Sequence, residues 1–284
     1  MKKFFVAILV LATFITAGSF ALVEKAPELD YALSCLEKGN PFLERYNEIT
    51  GSEIEPLMEL GVPYFWGGGD EKLLGHIRTP WDSSTYYKKD RFYMCGFDCS
   101  GFTRWVLQKT GKEKHPSLSF MLSHYYDMRD YYLDFDDLSY DEIAKKAQVG
   151  DLFVIRYKGG RHIMMFVGTL RDFAYNEENV PEELVPYLEK PLMIHSSKNP
   201  DYYKPYEEYI EKTFKISKVV PPEGGCMVSL LDVPVEKTTG SAQVYHRDNY
   251  VYYFDLENYH LTVYDMDLIT NTRWVRWDKE SAKK

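Results

Sequence analysis

The sequence predicts an α+β protein in which helices come first and an antiparallel sheet follows. Three observations carry this. In the first half, apolar residues recur at helical spacing in short pieces, as with Leu29, Leu33 and Leu36 of PELDYALSCLEKGN. After residue 150 the pattern changes to apolar, partly β-branched runs, DLFVIRY and HIMMFVGT, joined by KGGR. A further pair of runs, VYYFDL and YHLTVYDM, flanks Glu257 and Asn258 as a second hairpin.

Residues 1–21 read as a signal peptide. Lys2 and Lys3 provide a positive start, an apolar run extends from Phe4 to Phe20, and Ser19 and Ala21 fit the small-residue cleavage rule. The alternative is an uncleaved anchor, for which the run is borderline in length. Removing the two lysines takes the formal charge from −9 to −11. That acidity argues against nucleic acid as a partner and offers no attraction to anionic lipid. No later segment is long and apolar enough to span a bilayer, so no stable membrane insertion is expected after cleavage. The expected location is extracytoplasmic, either periplasmic or secreted.

Residues 22–60 form an N-terminal helical segment. Asn40 is a candidate N-cap with Pro41 at the first helical position, and SEIEPLMELG reads as a third short helix. In VPYFWGGGD, three glycines after two aromatic residues mark unusual dihedrals or a close backbone approach. Residues 70–97 show no period and read as a long surface excursion. DCSGFTRWVLQKTGK reads as a helix capped by Asp98, with Phe102, Trp105 and Val106 on its apolar face and Gly111 as the stop. SYDEIAKKAQ is another short helix. DLFVIRY and HIMMFVGT pair through a turn at Gly159 and Gly160, PLMIHSS is a third strand, and residues 171–190 are an inserted loop or helix.

The chemistry centres on Cys99. At the first turn of a helix, unpaired N–H groups and the positive end of the macrodipole favour thiolate, the nucleophilic form. A base is then needed. Among seven histidines, His162 opens a strand after the Gly-Gly turn and His195 ends another. His162 suits the base and His195 the group that orients it. Either histidine alone is more often structural; their combination with Cys99 shifts the balance. The other cysteines are Cys35, Cys95 and Cys226. Export favours disulfides, and four cysteines allow three full pairings. A reversible Cys95–Cys99 bridge that silences the thiol is one reading; a packed or otherwise paired Cys95 is the other. Cys95, Cys99, His162 and His195 also make a formal zinc set, but the Asp-Cys-Ser-Gly context fits catalysis better. No metal or cofactor is expected. The acidic DMRDYYLDFDD lacks calcium-loop spacing and reads as a solvated face.

PYFWGG, DCSGF, GDLFVI…HIMMFVG and MIHSS, in that order, resemble the NlpC-type cell-wall cysteine endopeptidases, a bacterial branch of the papain-like superfamily. The resemblance implies a helical lobe carrying the nucleophilic Cys, packed on an antiparallel β-sheet carrying the two His. It implies Cys99 as nucleophile, His162 as base and His195 as the third polar residue. Tyr64 would lie beside the nucleophile and contact substrate, and Asp98 and Ser100 would line the cleft. It implies hydrolysis of peptidoglycan stem peptides, at the γ-D-glutamyl bond to a diamino acid, through a Cys99 acyl-enzyme. Val149 stands where the family has Pro. Met164 stands where it has Gly, on the same strand face as His162, and is expected to narrow the cleft. The stretches from Trp66 to Cys99 and from His162 to His195 are long. On this reading residues 61–215 are the catalytic core with insertions. Residues 216–284 are a β-rich extension, either a wall-binding module or strands completing the main fold. The alternatives are a papain-like amidase or acyltransferase on another substrate, or a catalytically silent cell-wall binding protein.

Overall fold

The computed structural model describes residues 26–36, 39–54, 61–69, 71–79, 86–157, 160–180, 182–198, 207–231, 235–237, 243–245, 255–256, 259–264 and 268–278. The expected signal peptide, most of the helix in SEIEPLMELG, and His246 lie outside the described residues.

Two helices open the fold, α1 (Pro27–Ser34) and α2 (Pro41–Thr50). Asn40 caps α2 as expected, its side chain accepting from Phe42 N at 3.0 Å and Leu43 N at 3.3 Å; such a cap contributes about 1 kcal/mol. Gly51 ends the helix in the left-handed region, at φ 66°. Next come β1 (Ile77–Arg78) and β2 (Phe92–Met94), an antiparallel pair inside the stretch expected to be a surface excursion. The excursion is only partly on the surface. Leu74, Met94, Cys95 and Phe97 are buried, because the insertion carries enough apolar side chains to pack back onto the helices.

α3 (Cys99–Lys109) follows and buries Phe102, Trp105, Val106 and Leu107. Beyond it lie α4 (Leu118–Ser123), α5 (Tyr125–Met128), β3 (Tyr132–Leu133) and α6 (Tyr140–Lys146). A capping box between Ser139 and Glu142 starts α6. The strands are β4 (Leu152–Tyr157), β5 (Gly160–Gly168) and β6 (Leu192–Lys198), then α7 (Glu207–Phe214), β7 (Val219–Val220), β8 (Gly224–Leu231), β9 (Val235–Lys237), β10 (Gln243–Tyr245), β11 (Asp255–Leu256), β12 (Tyr259–Tyr264) and β13 (Leu268–Val275).

The main sheet runs β11-β12-β8-β6-β5-β4-β13-β10-β9, with β3 also on β13. Among the described residues its pairs are antiparallel except β12 with β8. The architecture is thus mixed helix and antiparallel sheet. β11 and β12 form the second hairpin expected around Glu257 and Asn258. Both faces of the central strands are covered. Val154, Ile163, Met165, Ile194 and Val228 belong to the core shared with α1, α2 and α3. Phe153, Ile155, Met164, Phe166, Met193 and Trp274 form a second core with Phe135 and Ile143. That is why these strands read as continuous apolar runs without clean alternation.

Of the strands after residue 216, β7 pairs with β2 in a small separate sheet with β1, and β8 to β13 enter the main sheet. β8 pairs with β6 over its whole length, and β13 pairs with β4. Just past β13, Arg276 forms a two-pronged ion pair with the buried Asp151, Nε to Oδ1 at 2.8 Å and Nη2 to Oδ2 at 2.7 Å. No disulfide joins the cysteines. Cys35 donates to the Tyr31 carbonyl at 3.5 Å, and Cys95 to that of Tyr93 at 3.8 Å. The bridges that export favours are therefore not formed here, although Cys35 and Cys226 lie in the same core, each hydrogen-bonded through its backbone to Val62.

Candidate active site

The N-terminus of α3 is held by residues far away in sequence. Asp98 is the N-cap: its Oδ1 accepts from Gly101 N at 2.7 Å and from the Ser100 hydroxyl at 2.9 Å. Its Oδ2 accepts from Gly67 N at 3.1 Å, tying the Trp66–Gly67 turn to the helix. Asp98 N donates to the Gly68 carbonyl at 3.1 Å. The two backbones approach so closely that a Cβ on Gly101 would overlap the Gly68 carbonyl oxygen. The glycines of WGGGD and DCSGF therefore answer one another. On the other side, the Ser196 hydroxyl of β6 donates to the Phe97 carbonyl at 2.8 Å.

The expected site residues take the following places. Cys99 is the first residue of α3, which packs on β5 and β6. Asp98 and Ser100 are committed to the cap. Tyr64 is half-buried, pairs through its backbone with Phe97, and lines a pocket with Trp66, Tyr86, Lys198 and Glu223. Lys198 Nζ stands 5.9 Å from the Tyr64 ring centroid.

His162 and His195 come together. His162 Nε2 lies 2.9 Å from His195 Nδ1, with the rings nearly perpendicular at 86°. Both are buried, at 5% and 0% exposure. The backbone N–H of Ile163, the residue after His162, favours the thiolate form of Cys99, and α3 packs on β5 and β6. The start of β5 is thus against the first turn of α3. His195 Nε2 in turn lies 2.8 Å from the Ser229 hydroxyl on β8.

Burial governs the charge states. It pushes the Cys99 thiol up to about 12, with the Asp98 charge adding to the effect and the N–H groups of Ile163, Ser100 and Cys99 opposing it. The helix N-terminus was expected to favour thiolate; desolvation outweighs it, and the resting group is a thiol. Burial lowers His162 to about 4, and burial with the charge of His162 takes His195 well below its ordinary value. At neutral pH the three side chains are uncharged. Burial also pushes Cys95 up to about 12.

Met164 departs from expectation. The register places it on the same face as His162, opposite Phe153, while His162 is opposite Ile155. It is fully buried and belongs to the second core. It fills the space between sheet and α6 and does not wall an open cleft. Among the described residues no group of three His, Cys, Asp or Glu side chains is arranged to hold a metal ion.

A family model described as the NlpC/P60 family matches residues 61–218. The chain belongs to the NlpC/P60 family. No curated protein and no solved structure matches it. NlpC/P60 is a papain-like family of cysteine peptidases acting on the cell wall. The matched span holds Tyr64, Asp98, Cys99, Ser100, His162 and His195. Ser229 and Arg276 lie beyond it. Sequence reasoning missed Ser229, because a single serine within GGCMVSLLD carries no signal until the register of β8 on β6 is known.

Proposed function

We propose that this NlpC/P60 chain is an exported cysteine peptidase that hydrolyses peptidoglycan stem peptides. The observation that carries the reading is the His162–His195 hydrogen bond at 2.9 Å, between two strands against which the Cys99 helix packs. Nε2 of His162 is engaged by His195, so Nδ1 is its nitrogen for proton transfer. Cys99 passes its proton to that nitrogen as the sulfur attacks the scissile carbonyl carbon. The Cys99 N–H, at the helix N-terminus, donates to the developing oxyanion. Collapse breaks the C–N bond, and the amine leaves with the proton from His162. Water then attacks the thioester, gives its proton to His162, and releases the acid product as the Cys99 thiol re-forms.

The bond assigned is that between γ-D-glutamate and a diamino acid. Tyr64, Asp98 and Ser100 contact the substrate, with Asp98 and Ser100 also shaping the helix start. Residues 1–21 direct export and are removed, which places the enzyme outside the cytoplasm. Residues 22–60 are a helical segment, residues 61–215 the catalytic core, and the strands after 216 its completion.

The test is mass spectrometry of purified peptidoglycan fragments incubated with reduced wild type and with Cys99→Ala. The expected result is a product ending in γ-D-glutamate, absent with the variant. No product from folded wild type whose Cys99 alkylates would overturn the substrate assignment.

A further inference from the structure

We propose that Ser229 is a positioning residue that sets the tautomer of His195 and, through it, the nitrogen of His162 that receives the Cys99 proton. The inference rests on the reading of Cys99 and His162 as the working pair.

His162 Nε2, His195 Nδ1, His195 Nε2 and Ser229 Oγ form one chain, with links of 2.9 Å and 2.8 Å. His195 and Ser229 are fully buried. Two neutral imidazoles carry one N–H each, so the hydrogens along the chain must all point the same way. In one polarity His195 donates Nε2–H to Ser229 Oγ and accepts His162 Nε2–H at Nδ1. His162 then holds its lone pair on Nδ1 and can take the thiol proton. In the other polarity Ser229 donates to His195 Nε2, His195 donates Nδ1–H to His162, and His162 already carries a proton on Nδ1. Only the first polarity is competent, and it requires Ser229 as the acceptor at the end of the chain.

The position of that acceptor is fixed by the sheet. Ser229 faces Met193 across the β6–β8 pair and Thr262 across β8–β12. In a triad ending in aspartate a charge orients the imidazole and stabilises its protonated form. Here the terminal group is a neutral hydroxyl, so hydrogen-bond polarity takes the place of that charge in orienting the ring. β8 lies outside the span matched by the family model.

The experiment uses the full chain labelled with 15N-histidine. Long-range 1H–15N correlation spectra at pH 7 read the tautomer of each ring, and the rate of iodoacetamide alkylation at Cys99 is followed by mass spectrometry of its peptide. The expected wild type has His195 protonated at Nε2 and His162 at Nε2. Ser229→Ala shifts His195 towards the Nδ1–H form and slows alkylation about tenfold, the effect of one buried hydrogen bond. Ser229→Thr, which restores a hydroxyl, returns the rate to within about threefold of wild type. His162→Ala separates the two readings. If it leaves alkylation unchanged, the working pair itself fails. If it slows alkylation while Ser229→Ala does not, the role of Ser229 is overturned and the pair stands. A wild-type His195 carrying its proton on Nδ1 also overturns it, whether or not any variant folds.

Discussion

Acid should weaken this protein well before its carboxylates are titrated, because it folds around neutral histidines. His115 is 1% exposed, its Nδ1–H donating to the Pro116 carbonyl at 2.7 Å and its Nε2 accepting from the Thr103 hydroxyl at 2.8 Å. Burial lowers it to about 4, as it does His162. The sign follows from proton counts. Between the folded value and the ordinary 6.5, the unfolded chain binds more protons than the folded one. The stability from each group is complete above 6.5 and is lost as the pH falls towards 4. At pH 5 each histidine accounts for a loss of roughly 2 kcal/mol, and at pH 4 and below roughly 3 kcal/mol. Against a total of about 5–15 kcal/mol this is large. Asp98 and Asp151, both raised by burial, act in the opposite sense, since the folded state takes up their protons first. A comparison with His115→Gln removes their contribution. Urea unfolding followed by tryptophan fluorescence at pH 7.5 and pH 5.0 supplies the numbers. The variant should be less stable at pH 7.5, yet lose roughly 2 kcal/mol less than wild type on going to pH 5.0. Equal losses in the two proteins would refute the reasoning.

Three further outcomes are expected. Arg276→Ala leaves Asp151 buried without its partner and should cost roughly 3–5 kcal/mol in urea unfolding; a cost under about 1 kcal/mol would mean that the pair does not clamp β13 to the sheet. Gly101→Ala forces the Gly68 carbonyl away from the first turn of α3. Displacing the nucleophile by about 1 Å should slow peptide hydrolysis about a hundredfold with the fold retained by circular dichroism; full activity would show that the turn is free to move. The kcat/KM profile should keep rising with pH only up to about 4, where His162 loses its proton. An acid limb near 6.5 would mean that the base is solvated in the working enzyme.

Much of the site was legible because its signals are local. Asp98 before Cys99 and Gly101 after it define a capped helix start within four residues, and the cap is present as read. The alternation along HIMMFVG put His162 and Met164 on one face, which the β4–β5 register bears out. The consequence drawn for Met164 was wrong, because alternation names a face but not what covers it. Here α6 and Trp274 cover it. The excursion at residues 70–97 was misjudged for the same reason. Polar and aromatic composition hides Leu74, Met94 and Phe97, whose burial depends on helices elsewhere in the chain.

By itself the sequence determined the order of helices and strands, the capped thiol, the paired histidine strands and the family they resemble. These follow from spacing over a few residues, where backbone geometry leaves few choices. Only the tertiary structure decided that β8 lies beside β6 and brings Ser229 to His195, and that β13 lies beside β4 and brings Arg276 to Asp151. It also decided the charge of Cys99. The helix N-terminus can be read from three letters, but the burial that overrides it depends on the packing of α3 against β5 and β6.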